Sequence, residues 1–259
     1  APTIAESAVE EEVIVQTPLP QPVADMPMTV YREALIGEVQ RLNPLFASLN
    51  PVDRDITALI FEGLTRVNEF GEPEPALAED WVVSFDQLEY VVTLRDDVLW
   101  QDGTPFTSTD VIYTMSILGD PNFPGSPELG AFWRTVETEQ LGEHLVRFRL
   151  TQPLGGFLQA LRIGILPSHA LIGANAVQLA SHPFNLNPIG TGPYQLDALR
   201  MAEGGISAVE LRAAPVYRQR LDTLEALQVD HLMFRLYDDF DTVVVALNNA
   251  EVDGYAARD

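Results

Sequence analysis

Strict two-residue alternation, repeated along the chain, constrains this sequence more than any other feature. In "WVVSFDQLEYVVTLR", Tyr90, Val92 and Leu94 alternate with Val91, Thr93 and Arg95, and Asp86-Gln87 supplies a turn. "HLVRFRL" sets Val146, Phe148 and Leu150 against Arg147 and Arg149. "GPYQLDALRMAEGGISAVELRAA" reads as another hairpin, with Glu203-Gly204-Gly205 in its turn, and "VDHLMFRLY" places Leu232, Phe234 and Leu236 on one face. Successive side chains of a strand point to opposite faces, so these patterns predict half-solvated strands rather than the continuous apolar runs of an all-parallel sheet. "TVYREAL" predicts one more strand near the start of the ordered region, from about Met28.

Helical spacing interrupts these strands. In "DRDITALIFEGL", Ile56, Leu59, Ile60 and Leu64 fall on one helical face, with Asp53 as the expected N-cap and Gly63 as the stop. "TSTD" has the spacing of a capping box, Thr107 capping and Asp110 reaching back, and Val111, Met115 and Leu118 then share a face. "DDFDTVVVALNNAEVDGY" predicts a helix and a short strand. Hairpins and helices mixed in this way predict an α/β (mixed α+β) fold, neither a regular βαβ alternation nor all-β. Residues 1–27, with four Glu, one Asp, five Pro and no basic residue, predict an acidic tether, within which "VIVQT" could pair as a strand.

Composition removes several chemistries. The formal net charge is −23, which opposes binding to nucleic acid or to an anionic membrane. Every basic residue is Arg, so Schiff-base, P-loop and lysine general-base chemistry are excluded. There is no Cys, so thiolate catalysis, disulfides and Cys-based zinc sites are excluded as well. No apolar run reaches membrane-spanning length.

The strongest concentration of titratable groups is "LRDDVLWQDGTPFTSTDVIYTM". Asp102-Gly103 is a turn signal, Asp110 has the capping role, and Asp96 and Asp97 sit at a strand end, so local structure accounts for each carboxylate. The spacing does not match a calcium loop. His144, His169, His182 and His231 do not cluster, so no metal site and no cofactor are expected. "PIGTGPY" lacks the lysine of a phosphate-cradling loop and reads as a tight turn into Tyr194.

Several blocks together resemble the family 5 extracellular solute-binding proteins, the peptide- and nickel-binding components of bacterial ABC importers. They are "LNPLFA" at 42–47, "IFEGLTRV" at 60–67, "PEPALAEDW" at 73–81, "VVTLRDDVLWQDGTPFTSTDVIYTM" at 91–115, "IGILPSHAL" at 163–171 and "PIGTGPYQL" at 188–196. The resemblance runs from about Met28 to Tyr255. It implies a two-lobed, periplasmic-binding-protein type II-like fold that closes on its ligand like a hinge. Residues 28–259 then correspond to lobe one, without lobe two and without the segment that returns to complete lobe one.

The resemblance also implies three ligand-facing segments. One carries Ala47, Ser48, Leu49 and Asn50 and leads to Asp53 and Arg54; the second carries Phe132 and Trp133; the third carries Arg162 and Ile163. Trp133 offers an apolar wall and an indole donor, and Arg54 or Arg162 a bidentate partner for a carboxylate. The implied partners are a peptide or small-molecule ligand and the transmembrane permease subunits of an ABC importer, with the protein a monomer outside the cytoplasmic membrane, held there by a lipid anchor on a lost N-terminal segment. Two other readings stay open at this point: a carboxylate-based hydrolase, and a binder of metal chelates, sugars or opines in the same family.

Overall fold

The structure is a computed structural model that describes residues 29–220 and 228–255. The tether expected over 1–27, with its "VIVQT", lies outside the described residues. In chain order, β1 (Val30–Ile36) leads through a long loop to α1 (Pro51–Ile60). β2 (Thr65–Val67) and β3 (Pro73–Pro75) form a small hairpin, and β4 (Ala78–Val83) and β5 (Glu89–Leu94) a longer one. α2 (Ser108–Gly119) and α3 (Pro127–Trp133) follow, then β6 (Val136–Gly142) and β7 (Leu145–Leu150). The short helices α4 (Phe157–Ala160) and α5 (Ala176–Leu179) lie on the way to the hairpin of β8 (Tyr194–Ala202) and β9 (Gly205–Ala213). After α6 (Pro215–Arg218) come β10 (His231–Tyr237), α7 (Phe240–Asn248) and β11 (Gly254–Tyr255).

The strands assemble into a five-stranded sheet, β11–β1–β10–β9–β8, and a four-stranded antiparallel sheet, β4–β5–β7–β6, beside the small β2–β3 pair. The five-stranded sheet is mixed: β1 runs parallel to both β10 and β11, while β9 runs antiparallel to both of its neighbours, β10 and β8. Alternation matches burial. Tyr90, Val92, Leu94, Val146 and Phe148 are buried in the main core. Opposite them, Glu89 stands across from Arg149, and Arg147 across from Glu139, so the solvent face is closed by cross-strand charge pairs. The other face of the five-stranded sheet carries a smaller core, Ala34, Val243, Ala246 and Val252, where α7 packs.

The α1 boundaries differ from the sequence expectation. Asn50, not Asp53, is the N-cap: its side chain accepts from the Val52 N–H, and Pro51 follows at the first helical position. The helix ends at Ile60, three residues before Gly63. Gly63 serves another purpose, because a Cβ there would come within 2.5 Å of the Arg162 backbone. The glycines of "PIGTGPY" have the same role. Gly192 donates its N–H to the Ile60 carbonyl at 2.8 Å, and a Cβ on Gly192 would stand 2.7 Å from that carbonyl. A Cβ on Gly190 would collide with the Ile60 carbonyl oxygen outright. Neither residue has positive φ, so space, not a left-handed turn, requires glycine at both.

Gly190→Ala should therefore cost at least about 2 kcal/mol. Urea unfolding should show a lower midpoint with an unchanged slope, whereas an unchanged midpoint would refute the backbone-contact reading.

Candidate functional site

The parallel strands β1 and β10 end in register at Ile36 and Tyr237, β11 lies parallel on the other side of β1, and the sequence order across the three reverses at β1. In open sheets that mix helices and strands, the crevice outside the carboxyl ends of parallel strands at such a switch point is where ligands bind. The segment that leaves this rim is Gly37–Asn50. Its first residue is fixed to β10 by the Gly37 N–H to Tyr237 carbonyl bond at 2.9 Å, and Gly37 takes φ +122° as the chain turns off the strand.

Three side chains brace this loop. The Asn50 amide donates to the Glu38 carbonyl at 2.8 Å while its oxygen caps α1. Asp53, 1% exposed, accepts the Gln40 N–H on one oxygen and the Arg41 N–H on the other, both at 2.9 Å. Asn43 is fully buried; its oxygen accepts the Leu45 N–H and its amide donates to Asn185 at 3.0 Å. Held this way, the loop presents Ser48 and Leu49 outward, with Leu49 51% exposed.

The sequence-derived candidates thus divide by environment. Ser48, Leu49, Arg54 and Arg162 reach solvent; Phe132 and Ile163 are half-buried; Asn50, Asp53 and Trp133 are buried. Arg54 pairs with Asp55 at 3.3 Å. Trp133 is a core residue, packed against Phe132 and Phe157 with ring centroids 5.1 and 6.3 Å away, and its indole N–H has no acceptor among the described residues. The three segments are neighbours through intermediaries: a Cβ on Gly164 would meet Pro44 at 2.7 Å, Phe46 stacks on Phe123 at 5.8 Å, and Phe123 borders Gly130 of α3. Glu38, Gln40, Asn43 and Asn185 were absent from the sequence-derived set, and no short-range signal marks them.

The carboxylates of the "DGTPFTSTD" stretch are structural. Asp110, 3% exposed, completes the capping box by accepting the Thr107 N–H, and it also accepts the Trp100 indole N–H and both the N–H and hydroxyl of Ser168. Asp102 accepts the Thr104 N–H and lies 2.8 Å from His169. Burial would raise the Asp102 carboxyl, but these bonds from Thr104 and His169 outweigh it and hold it low. Among the described residues, the buried carboxylates Asp53 and Asp110 are each saturated by separate donors, and no group of three or more His, Asp or Glu could hold a metal ion. No helix among them is long and apolar enough to cross a membrane.

Burial raises the Asp53 carboxyl above its ordinary value, against the lowering effect of the Gln40 and Arg41 N–H groups. The folded state therefore binds this proton more tightly than the unfolded chain. The contribution to stability is full below the unfolded pKa and is lost as pH rises through the folded one. Asp53→Asn loses one of two acceptors, at a cost of about 1–3 kcal/mol, and cannot titrate. The wild-type margin over this variant should be wider near pH 4 than near pH 7. Chemical unfolding of both proteins at the two pH values checks the sign, and a margin that widens towards pH 7 would contradict it.

Comparison with known proteins agrees with this architecture. Residues 72–259 match the family described as bacterial extracellular solute-binding proteins, family 5 Middle. The glutathione-binding protein GsiB of Shigella flexneri is 28% identical over 158 residues, which are 59% of this chain and 30% of that protein. NikZ from Campylobacter jejuni, solved with Ni(L-His), superposes with a TM-score of 0.75 and 30% identity over 88% of this chain and 43% of NikZ. The oligopeptide-binding protein AppA from Bacillus subtilis, solved with a nonapeptide, shares the fold at a TM-score of 0.76 and 24% identity, covering 88% of this chain and 44% of AppA. The chain thus spans less than half the length of these structures and about a third of GsiB, within the type II periplasmic-binding fold. It belongs to the bacterial extracellular solute-binding proteins of family 5.

Proposed function

We propose that residues 28–259 are lobe one of a two-lobed extracytoplasmic receptor that captures an oligopeptide or similar small solute and delivers it to the permease of an ABC importer. The observation that carries this reading is the Ser48-Leu49 turn, on the loop that leaves the carboxyl ends of β1 and β10, held by buried braces in a chain of this family. In this reading Ser48 and Leu49 touch ligand, while Asn50 and Asp53 hold the turn. Arg54 and Arg162, both exposed, offer guanidinium groups for a ligand carboxylate, and Phe132 and Ile163 contribute apolar surface. Glutathione and the nonapeptide named for the relatives both carry carboxylates that suit such groups.

The receptor works by binding, as a monomer, and no residue is assigned a catalytic role. Hinge closure requires a ligand that contacts the closed state better than the open one, and those contacts come from both lobes. The receptor acts outside the cytoplasmic membrane, in the periplasm or at the cell surface. A second reading, a metal-chelate ligand, is favoured by the 30% identity to NikZ. In that case the chelate's organic part meets the same guanidinium and apolar groups of lobe one.

Calorimetric titration of a mixed di- to pentapeptide pool into the intact protein and into this 259-residue chain, side by side, tests the proposal. Heat with the intact protein and little or none with the chain is expected. Tight binding by the chain alone would refute the two-lobe reading. No heat with either would remove peptides, and titration with Ni(L-His) and with opines then decides among the remaining ligands.

A further inference from the structure

Asn185 lies 142 residues from Asn43 in sequence, in the 3-10 turn Pro183–Leu186, and every polar atom it has is used. Its side-chain amide donates to the Leu179 carbonyl at 2.8 Å and the Ala180 carbonyl at 3.2 Å, at the end of α5. Its side-chain oxygen accepts from the Asn43 amide at 3.0 Å, and its backbone carbonyl accepts the Leu42 N–H at 2.7 Å. Its own N–H closes the 3-10 turn Pro183–Leu186 onto the His182 carbonyl at 3.0 Å. It is 4% exposed, and Asn43 is 0% exposed. A buried, fully satisfied polar pair of this kind fixes one arrangement, since any slip leaves donors and acceptors unpaired in a low-dielectric interior.

The chain that this pair fixes is the start of "LNPLFASLN". Asn43 passes the constraint onward through the Leu45 N–H, and the Phe46 and Leu49 N–H groups then close the turns that expose Ser48 and Leu49. We infer that Asn185 is a positioning residue: through Asn43 it sets the conformation of the ligand-facing loop, and so the affinity for solute, without touching ligand. The inference rests on the reading of Gly37–Asn50 as ligand-facing. Asn50 and Asp53 hold the two ends of residues 38–41, and Asn185 holds the middle of the loop through Asn43. Three braces on one short loop exceed what chain connectivity requires, which is the expected signature of a preorganised contact surface.

The test uses the intact protein with Asn185→Ala, Asn43→Ala and the double variant. Val209→Ala, in the buried heart of β9, serves as a control of comparable destabilisation away from the loop. Asn185→Ser replaces the alanine variant if that one does not fold. Hydrogen exchange of residues 40–50 and the Kd for the di- to pentapeptide pool are read on each. Loss of the clasp should speed loop exchange and raise Kd by about tenfold or more. The two single changes should be non-additive in log Kd, because they remove the same bond. Val209→Ala should lower Tm and leave both readouts unmoved. Unchanged loop exchange in Asn185→Ala, or faster exchange with an unchanged Kd, would overturn the inference. If the wild type binds no peptide, the functional reading falls by itself. Loop exchange and its non-additivity then decide whether Asn185 positions the loop.

Discussion

The contact on which the rest of this structure hangs is the one between the end of α1 and the backbone of residues 190–192. Helix ends leave carbonyls without internal partners. Here the Ile60 carbonyl takes the Gly192 N–H, and the two glycines let the chain pass at a distance no side chain permits. Gln101 locks the same junction: it accepts the Gly190 N–H and donates to the Gly192 and Tyr194 carbonyls. One point thus joins α1, the turn before α2 and the start of β8. α1 is about 15 Å long, and its far end carries Asn50 and Asp53. The helix acts as a strut, anchored at its C-terminus by backbone contact and holding the candidate ligand loop at its N-terminus.

Much of the acidic charge stands in exposed pairs away from this strut. On the four-stranded sheet, Glu89, Glu137 and Glu139 surround Arg147 and Arg149 in a solvent-facing network. Such surface pairs are worth little individually, and screening by salt reduces them further. Their value is registry, since each acid stands directly across a strand from its arginine. Buried charge is treated differently. Arg220 donates to Glu62 and to the Thr191 carbonyl from a nearly inaccessible site, and burial pushes the Glu62 carboxyl up while Arg220 opposes the shift. That pair sits beside the glycine junction, where an unpaired charge would be costly.

Strands were legible in the sequence because their signal is local. The Asp86-Gln87 and Gly204-Gly205 turns and the alternation of residues 90–94 and 145–150 reappear in the structure, as does the Thr107–Asp110 capping box. The α1 cap was misplaced although a local signal existed: Asn50 before Pro51 is a stronger start than Asp53. The role of Gly190 and Gly192 could not be read locally, because the atom that excludes a Cβ belongs to Ile60, far away in sequence. Asn185 is less legible still, an ordinary loop asparagine whose importance exists only once Asn43 has been folded against it. Long-range polar pairs carry no periodicity, so the braces of a site are harder to find than the strands beneath it.

Asp53 shows how the two levels meet. It is the third residue of α1, the position from which a capping-box acid turns back to the N-cap N–H. Here Asn50 already caps the helix, so the carboxylate reaches instead to two N–H groups 12 and 13 residues upstream. The positive end of the helix favours a negative charge at that place, while burial opposes it. An apolar residue would avoid the desolvation cost but would leave the Gln40 and Arg41 N–H groups without acceptors. The two oxygens of the carboxylate let each N–H have an acceptor of its own, so the loop that leaves β1 is tied to the helix that follows it through a single side chain.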